Sequence, residues 1–168
     1  FLSNSTGANN TAIGLVSLFS NSSGINNTAS GSYSLSSNST GSENTASGYG
    51  SLFSNTSGDY NTAMGVNTLF SNVTGSRATA IGYNAMQYSN NTGDAFTNYN
   101  VAVGYEALRG STDPAANLGN DNTALGYQTL RSNTTGEANT ASGSDAPTYN
   151  TTGAADTPTR TYSLNNNT

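Results

Sequence analysis

Residues 10–26 read NTAIGLVSLFSNSSGIN, residues 27–43 read NTASGSYSLSSNSTGSE, and residues 44–60 read NTASGYGSLFSNTSGDY. The same seventeen-residue line is written three times in succession. With the alanine after the first threonine as marker, the series continues through Ala12, Ala29, Ala46, Ala63, Ala80, Ala102, Ala124 and Ala141, in steps of 17, 17, 17, 17, 22, 22 and 17. Two residues after each marker stands a glycine: Gly14, Gly31, Gly48, Gly65, Gly82, Gly104, Gly126 and Gly143. Four residues further on stands Leu18, Leu35, Leu52, Leu69, Met86, Leu108 or Leu130, and in the eighth copy Pro147 takes that place. One more step of 17 lands on Pro158, in DTPTRTYSL, a degraded ninth copy.

A fixed period near twenty residues is the mark of a solenoid, in which each unit stacks only on its neighbours. Helical hairpin repeats need thirty residues or more, and a glycine in every presumed element argues against helix. The segments NTAIG and SLF are short apolar–polar alternations bounded by Asn, Ser and Gly, which reads as strands and turns. Asn-Gly, the strongest hairpin signal, never occurs among the 26 asparagines and 19 glycines. The expectation is therefore an all-β parallel β-roll, or β-solenoid, of about nine rungs. Seven carry seventeen residues and two carry twenty-two, stacked about 4.8 Å apart. Each rung should hold two short strands and two turns. Residues 1–168 read as a single domain, with regular rungs over 8–143 and degenerate ones over 144–168.

Stacking turns each position into a column. The core ladders are Ala12, Ala29, Ala46, Ala63, Ala80, Ala102, Ala124 and Ala141, together with Leu18, Leu35, Leu52, Leu69, Met86, Leu108 and Leu130. The glycine column should supply positive φ or close backbone approach. The residue between Ala and Gly varies freely (Ile13, Ser30, Ser47, Met64, Ile81, Val103, Leu125, Ser142). Strand alternation puts it opposite Ala, facing solvent or a neighbouring chain.

Composition narrows the function. Only 8% of residues are charged, and the net charge is −5. There is no lysine and only four arginines, scattered along the chain, so no basic patch invites nucleic acid. With no cysteine there is neither a disulfide framework nor a thiolate metal site. No apolar run is long enough to span a bilayer. The chain opens at Phe1, in mid-repeat, as a processed product or a fragment would.

The pattern NTAxGxxxL with SNxTG resembles the head repeats of trimeric autotransporter adhesins of the YadA type, and related repeats of phage tail fibres and bacterial surface proteins. The resemblance covers about Ala8 to Gly143. It implies a left-handed roll, three chains side by side, and an extracellular place at a cell surface or on a virion fibre. The adhesin repeats are usually shorter and carry Val where Thr11 stands here.

Specific chemistry is sparse. There is no histidine, and Glu43, Asp59, Asp94, Glu106, Asp113, Asp121, Glu137, Asp145 and Asp156 fall mostly in turns or insertions. Of these, Asp113 and Asp121 share one insertion and could form a carboxylate pair, although solvated loop acids are the commoner case. No calcium-roll motif occurs. The expectation is a non-enzymatic chain without cofactor or metal. Asn-x-Ser/Thr occurs eleven times. The candidate N-glycosylation positions are Asn4, Asn21, Asn38, Asn55, Asn72, Asn90, Asn133 and Asn150, the first five expected to form one exposed column. A threonine column (Thr11, Thr28, Thr45, Thr62, Thr79, Thr123, Thr140) makes ice binding a weaker rival, because its neighbouring column is mixed.

The insertions, residues 87–99 and 109–121, should lie side by side and hold any specific ligand contact. At the ends, Pro147, Pro158 and Arg160 should blunt the C-terminal edge, while the front rung should be covered by upstream sequence or another subunit. The resulting expectation is an extracellular structural or adhesive repeat protein, part of a surface fibre or adhesin head. Its partners would be copies of itself, as a homotrimer, together with a host or surface ligand. There would be no nucleic acid and no membrane insertion. A filament of subunits stacked head to tail is the alternative.

Overall fold

The computed structural model describes residues 3–146 and 151–154. Eight strands of three residues each run in chain order: β1 (Thr11–Ile13), β2 (Thr28–Ser30), β3 (Thr45–Ser47), β4 (Thr62–Met64), β5 (Thr79–Ile81), β6 (Val101–Val103), β7 (Thr123–Leu125) and β8 (Thr140–Ser142). They form one parallel sheet in the order β1 to β8. The register sets each residue on its own equivalent: Thr11 on Thr28, Ala12 on Ala29, Ile13 on Ser30, and so on to Ser142. The chain is a parallel β-solenoid with one rung per repeat, as the period predicts. The ninth copy, Pro147, Pro158 and Arg160 lie outside the described residues.

The core columns fall where the spacing puts them. Each alanine from Ala29 to Ala141 is fully buried, and so are Leu18, Leu35, Leu52, Leu69 and Leu130. Met86 and Leu108 are nearly so, and Ala12, in the edge strand, packs against the core while partly exposed. Alanine suits a column where the strand lies against the opposite wall of a narrow coil. The leucine fills the remaining width, contributing about 1.5–3 kcal/mol per side chain.

Each rung differs from expectation in one respect: it holds one strand, not two. The glycine after the strand sits at φ between +123° and +140° and turns the chain. A Cβ on Gly48 would collide with the carbonyl oxygen of Gly65 in the next rung, so the column admits only glycine. The SLF segment that follows is a tight turn whose leucine is itself left-handed, from +47° at Leu18 to +51° at Leu130. The sequence there looks like strand, but inter-rung hydrogen bonding governs its backbone instead. The Leu35 amide donates to Ser51 O at 3.0 Å, and the Tyr33 amide to Leu15 O at 2.8 Å. Backbone pairing between rungs thus continues through the turn without strand dihedrals.

Two further columns hold the roll from inside, and both are asparagine. In the first, from Asn21 to Asn72, each Nδ2 donates to the carbonyl three residues on and to Oδ1 of the rung before. Asn38 gives 2.9 Å to Gly41 O and 2.9 Å to Asn21 Oδ1, and Asn55 gives 3.0 Å to Gly58 O and 2.8 Å to Asn38 Oδ1. The second runs through Asn10, Asn27, Asn44, Asn61, Asn100, Asn122 and Asn139, directly before the strands. There Asn44 receives its backbone bond at Oδ1 from Asn61 N at 2.9 Å, and its Nδ2 donates to Gly58 O at 2.8 Å. Amides that bond head to tail polarise one another, and within the run from Asn21 to Asn55 each carboxamide both donates to and accepts from its neighbours.

Candidate functional site

Two surfaces stand out from this regular frame: the outer face of the sheet and the pair of insertions. The outer face follows from alternation. Alanine points in, so threonine and the variable residue point out, and the glycine turn brings the next residue onto the same face. The result is a column of Ile13, Ser30, Ser47, Met64, Ile81, Val103, Leu125 and Ser142 beside one of Leu15, Ser32, Tyr49, Val66, Tyr83, Tyr105, Tyr127 and Ser144. None of the sixteen is buried, and Ile13 and Leu15 are 64% and 66% exposed. From Met64 and Val66 to Leu125 and Tyr127 both columns are apolar or aromatic without a break.

The tyrosines stack. Tyr83, Tyr105 and Tyr127 have ring centroids 5.2 Å apart at 12° and 13°. Loss of hydration within the stack, then the neighbouring Glu106 carboxylate and the other two phenols, push the Tyr105 hydroxyl above its usual range. Around the edge of the same face, Phe53 stacks on Phe70 at 4.9 Å, with Tyr33 tilted against Phe53.

A polar clamp borders the tyrosine column. Glu106 accepts from Arg109 Nη1 at 2.9 Å, Arg131 Nε at 2.7 Å and Gln128 Nε2 at 2.8 Å. Burial alone would raise its carboxyl, but the bonds from Arg131, Arg109 and Gln128 outweigh that and hold it below the usual glutamate range. The Arg109 guanidinium also lies over the Tyr88 ring, 5.4 Å from its centroid.

The two insertions meet, as their equal five-residue excess predicts. Tyr88 N donates to Arg109 O at 3.0 Å, and Tyr99 N to Asn120 Oδ1 at 2.8 Å. Asn117 joins them more closely: its Nδ2 donates to Tyr88 O and to Ser111 O, and its Oδ1 accepts from Ser111 N. The first insertion also folds back over the preceding rung, where Thr74 Oγ1 donates to Asp94 O at 2.6 Å and Ser76 pairs with Thr97. The second carries one 3-10 turn, Pro114–Ala116, capped by Asp113 Oδ1. Asp113 is thus used as a cap, and no bond joins it to Asp121. Asp59 accepts from Ser42 N at 2.7 Å. Among the described residues no cluster of three or more acids is placed to hold a metal ion. No helix there is long and apolar enough to cross a membrane.

The asparagine column corrects one expectation. Asn21, Asn38, Asn55 and Asn72 are fully buried, Asn133 and Asn90 nearly so, and Asn4 alone of the described candidates is exposed. The nitrogens of Asn21, Asn38, Asn55, Asn72 and Asn133 donate to the carbonyl three residues on, and those of the first four also to the carboxamide of the rung before. The folded roll therefore withholds these side chains from a glycosyltransferase. Asn150 lies outside the described residues. The threonine column is on the outer face as expected, with Thr11, Thr28, Thr45 and Thr140 exposed and the others half-buried.

No family model matches the chain, and no curated protein or solved structure matches it either.

Proposed function

We propose that this chain is a segment of an extracellular structural or adhesive fibre whose copies lie side by side through the outer face of the sheet, as a homotrimer. One observation carries the reading: the roll completes its own core with the alanine and leucine columns, yet keeps a second apolar strip outside. Met64, Val66, Ile81, Tyr83, Tyr105, Leu125 and Tyr127 are each at least 36% exposed and lie on four consecutive rungs. A continuous apolar strip rimmed by polar columns marks a contact surface, and parallel rolls laid along one another would cover it over its whole length. Much of the remaining surface is Asn, Ser and Thr, which suits a spacer. The joined insertions are the irregular place where a surface ligand would be met.

Mass in solution tests this. A discrete trimer is expected, and the double variant V103E/L125E should fall to monomer with its circular dichroism unchanged, since both side chains are outside the rung's own core. A wild-type monomer sinks side-by-side association. A polymer of many lengths would instead indicate head-to-tail stacking. Thermal hysteresis in the purified protein would favour the threonine column and ice.

A further inference from the structure

The phenols of the outer face have a regularity of their own. Tyr83, Tyr105 and Tyr127 are 46%, 43% and 49% exposed, and neighbouring rings lie face to face with centroids 5.2 Å apart. The backbone holds them in register: Glu106 N donates to Tyr83 O and Gln128 N to Tyr105 O, both at 2.8 Å. Down the whole column the residues are Leu15, Ser32, Tyr49, Val66, Tyr83, Tyr105, Tyr127 and Ser144. Two tyrosines follow one another only where the step is 22 residues, across the insertions 87–99 and 109–121. The half-buried stack at the edge of the face, Phe53 on Phe70, spans a plain step of 17 and is built from phenylalanine. Stacking alone does not require a hydroxyl. The chain also has no cysteine with which to close a loop.

We propose that this column is an oxidative cross-linking site, at which Tyr105 couples to Tyr83 or to Tyr127 as dityrosine and staples a long rung to its neighbour. The co-reactant is a peroxide acting through a one-electron, peroxidase-type oxidant. Each of two phenols gives up one electron and its hydroxyl proton. The two phenoxyl radicals join through a carbon ortho to each oxygen. The hydrogen on each of those carbons then moves to the oxygen and restores the phenol. Hydrogen peroxide takes up the two electrons and two protons and leaves as two waters. Radicals in solution must first find one another, whereas here the partner ring is already alongside. A quarter turn about each Cβ–Cγ bond sets the ortho carbons edge to edge, and rings open to solvent on their outer side have room for it. The backbone need not move, since neighbouring rungs stay about 4.8 Å apart. The bond closes a loop around one insertion, as a disulfide would. It joins rungs of one chain, so the inference does not rest on the proposed association.

The folded protein is treated mildly with hydrogen peroxide and a haem peroxidase, then unfolded and cut with trypsin after Arg77, Arg109 and Arg131. From protein that still runs as a single chain, fragments 78–109 and 110–131 should be recovered joined through Tyr105 and Tyr127, two hydrogens lighter than their sum. Fragment sequencing should also find Tyr83 linked to Tyr105. Tyr105→Phe should abolish both links, and oxidation in urea should not produce them. Tyr99→Phe should leave them in place: Tyr99 is 53% exposed, but no ring is stacked on it among the described residues. The linked form should melt about 5–10 °C higher; a link without that rise would overturn the staple. The variant V103E/L125E is oxidised in parallel, so that rings covered by association in the wild type are reached there. Absence of both links from wild type and variant overturns the proposal, and so does cross-linking only between chains or undiminished in Tyr105→Phe.

Discussion

The asparagines show how far single residues were legible. The alanine, glycine and leucine columns follow from spacing alone, because their chemistry allows only one side of a narrow coil. Asparagine is usually found at surfaces, so composition alone predicts an exposed turn column there. The contrary signal was present in the repeat itself. The column keeps asparagine at Asn21, Asn38, Asn55, Asn72 and Asn133 and yields only to serine, in the two long rungs, while the column at Ile13, Ser30, Ser47 and Met64 accepts almost anything. Constancy within one chain marks the inside of a stack whatever the polarity. Asn38→Asp tests this. It sets a carboxylate against Asn21 Oδ1 and Gly41 O, both acceptors, in a fully buried site. A loss of about 3 kcal/mol or more is expected by chemical denaturation, whereas an exposed turn residue would lose a few tenths. A second residue-scale feature is strain. Val16 sits at φ +59°, in a column that elsewhere holds Tyr33, Gly50, Asn67 and Asn84, all at positive φ. Left-handed backbone costs an ordinary residue about 1–2 kcal/mol, and asparagine less. Val16→Asn should therefore raise the melting temperature by about 2–4 °C, and an unchanged or lower value would mean that the valine's half-buried contacts outweigh the strain.

At the scale of elements, what escaped the sequence was the turn after the glycine. SLF has strand composition, and nothing local announces that Leu35 or Leu52 will be left-handed; the bond from each to the next rung decides it, a contact sixteen residues away in sequence. The insertions were legible in position but not in the way they join, since a lone Asn117 in a loop gives no sign that it will bridge two of them. The Glu106 clamp was also missed: Arg109 is three residues on in the same rung, but Gln128 and Arg131 come from the equivalent places of the next rung, and their approach appears only once the two rungs are stacked. The clamp has a pH signature. The folded-state carboxyl is held below the ordinary value of 4.5, so its contribution is fully present above that value and is lost as pH falls through the depressed one. Glu106→Gln should be less stable than wild type by about 1–2 kcal/mol at pH 7. The two proteins should converge in parallel melts as the pH is lowered through the depressed carboxyl value, below 4.5. A gap that stays constant with pH would mean that the carboxylate's charge contributes nothing.

At the scale of the whole molecule the outer strip has a pattern along its length, and the pattern constrains how copies can meet. Reading the variable column by rung gives Ile13, Ser30, Ser47, Met64, Ile81, Val103, Leu125 and Ser142. If two rolls lie parallel with equal rungs level, every apolar layer faces an apolar layer and every serine faces serine. A slip of one rung sets Ile13 against Ser30, Ser47 against Met64 and Leu125 against Ser142. An antiparallel pairing that matches Met64 with Leu125 and Ile81 with Val103 leaves Ile13 and Leu15 uncovered, and these are the most exposed apolar side chains of the face. Parallel association in register is the arrangement that covers them all. Because the chain has no cysteine, single-cysteine variants report on this cleanly. Under mild oxidation Val103→Cys alone should give disulfide-linked dimers in high yield, since the level rungs bring equal positions together within disulfide reach. A mixture of Met64→Cys and Leu125→Cys should give homodimers of each and few mixed dimers. Predominantly mixed dimers would establish the antiparallel arrangement, and no cross-linking at any of the three positions would remove the strip as the contact surface.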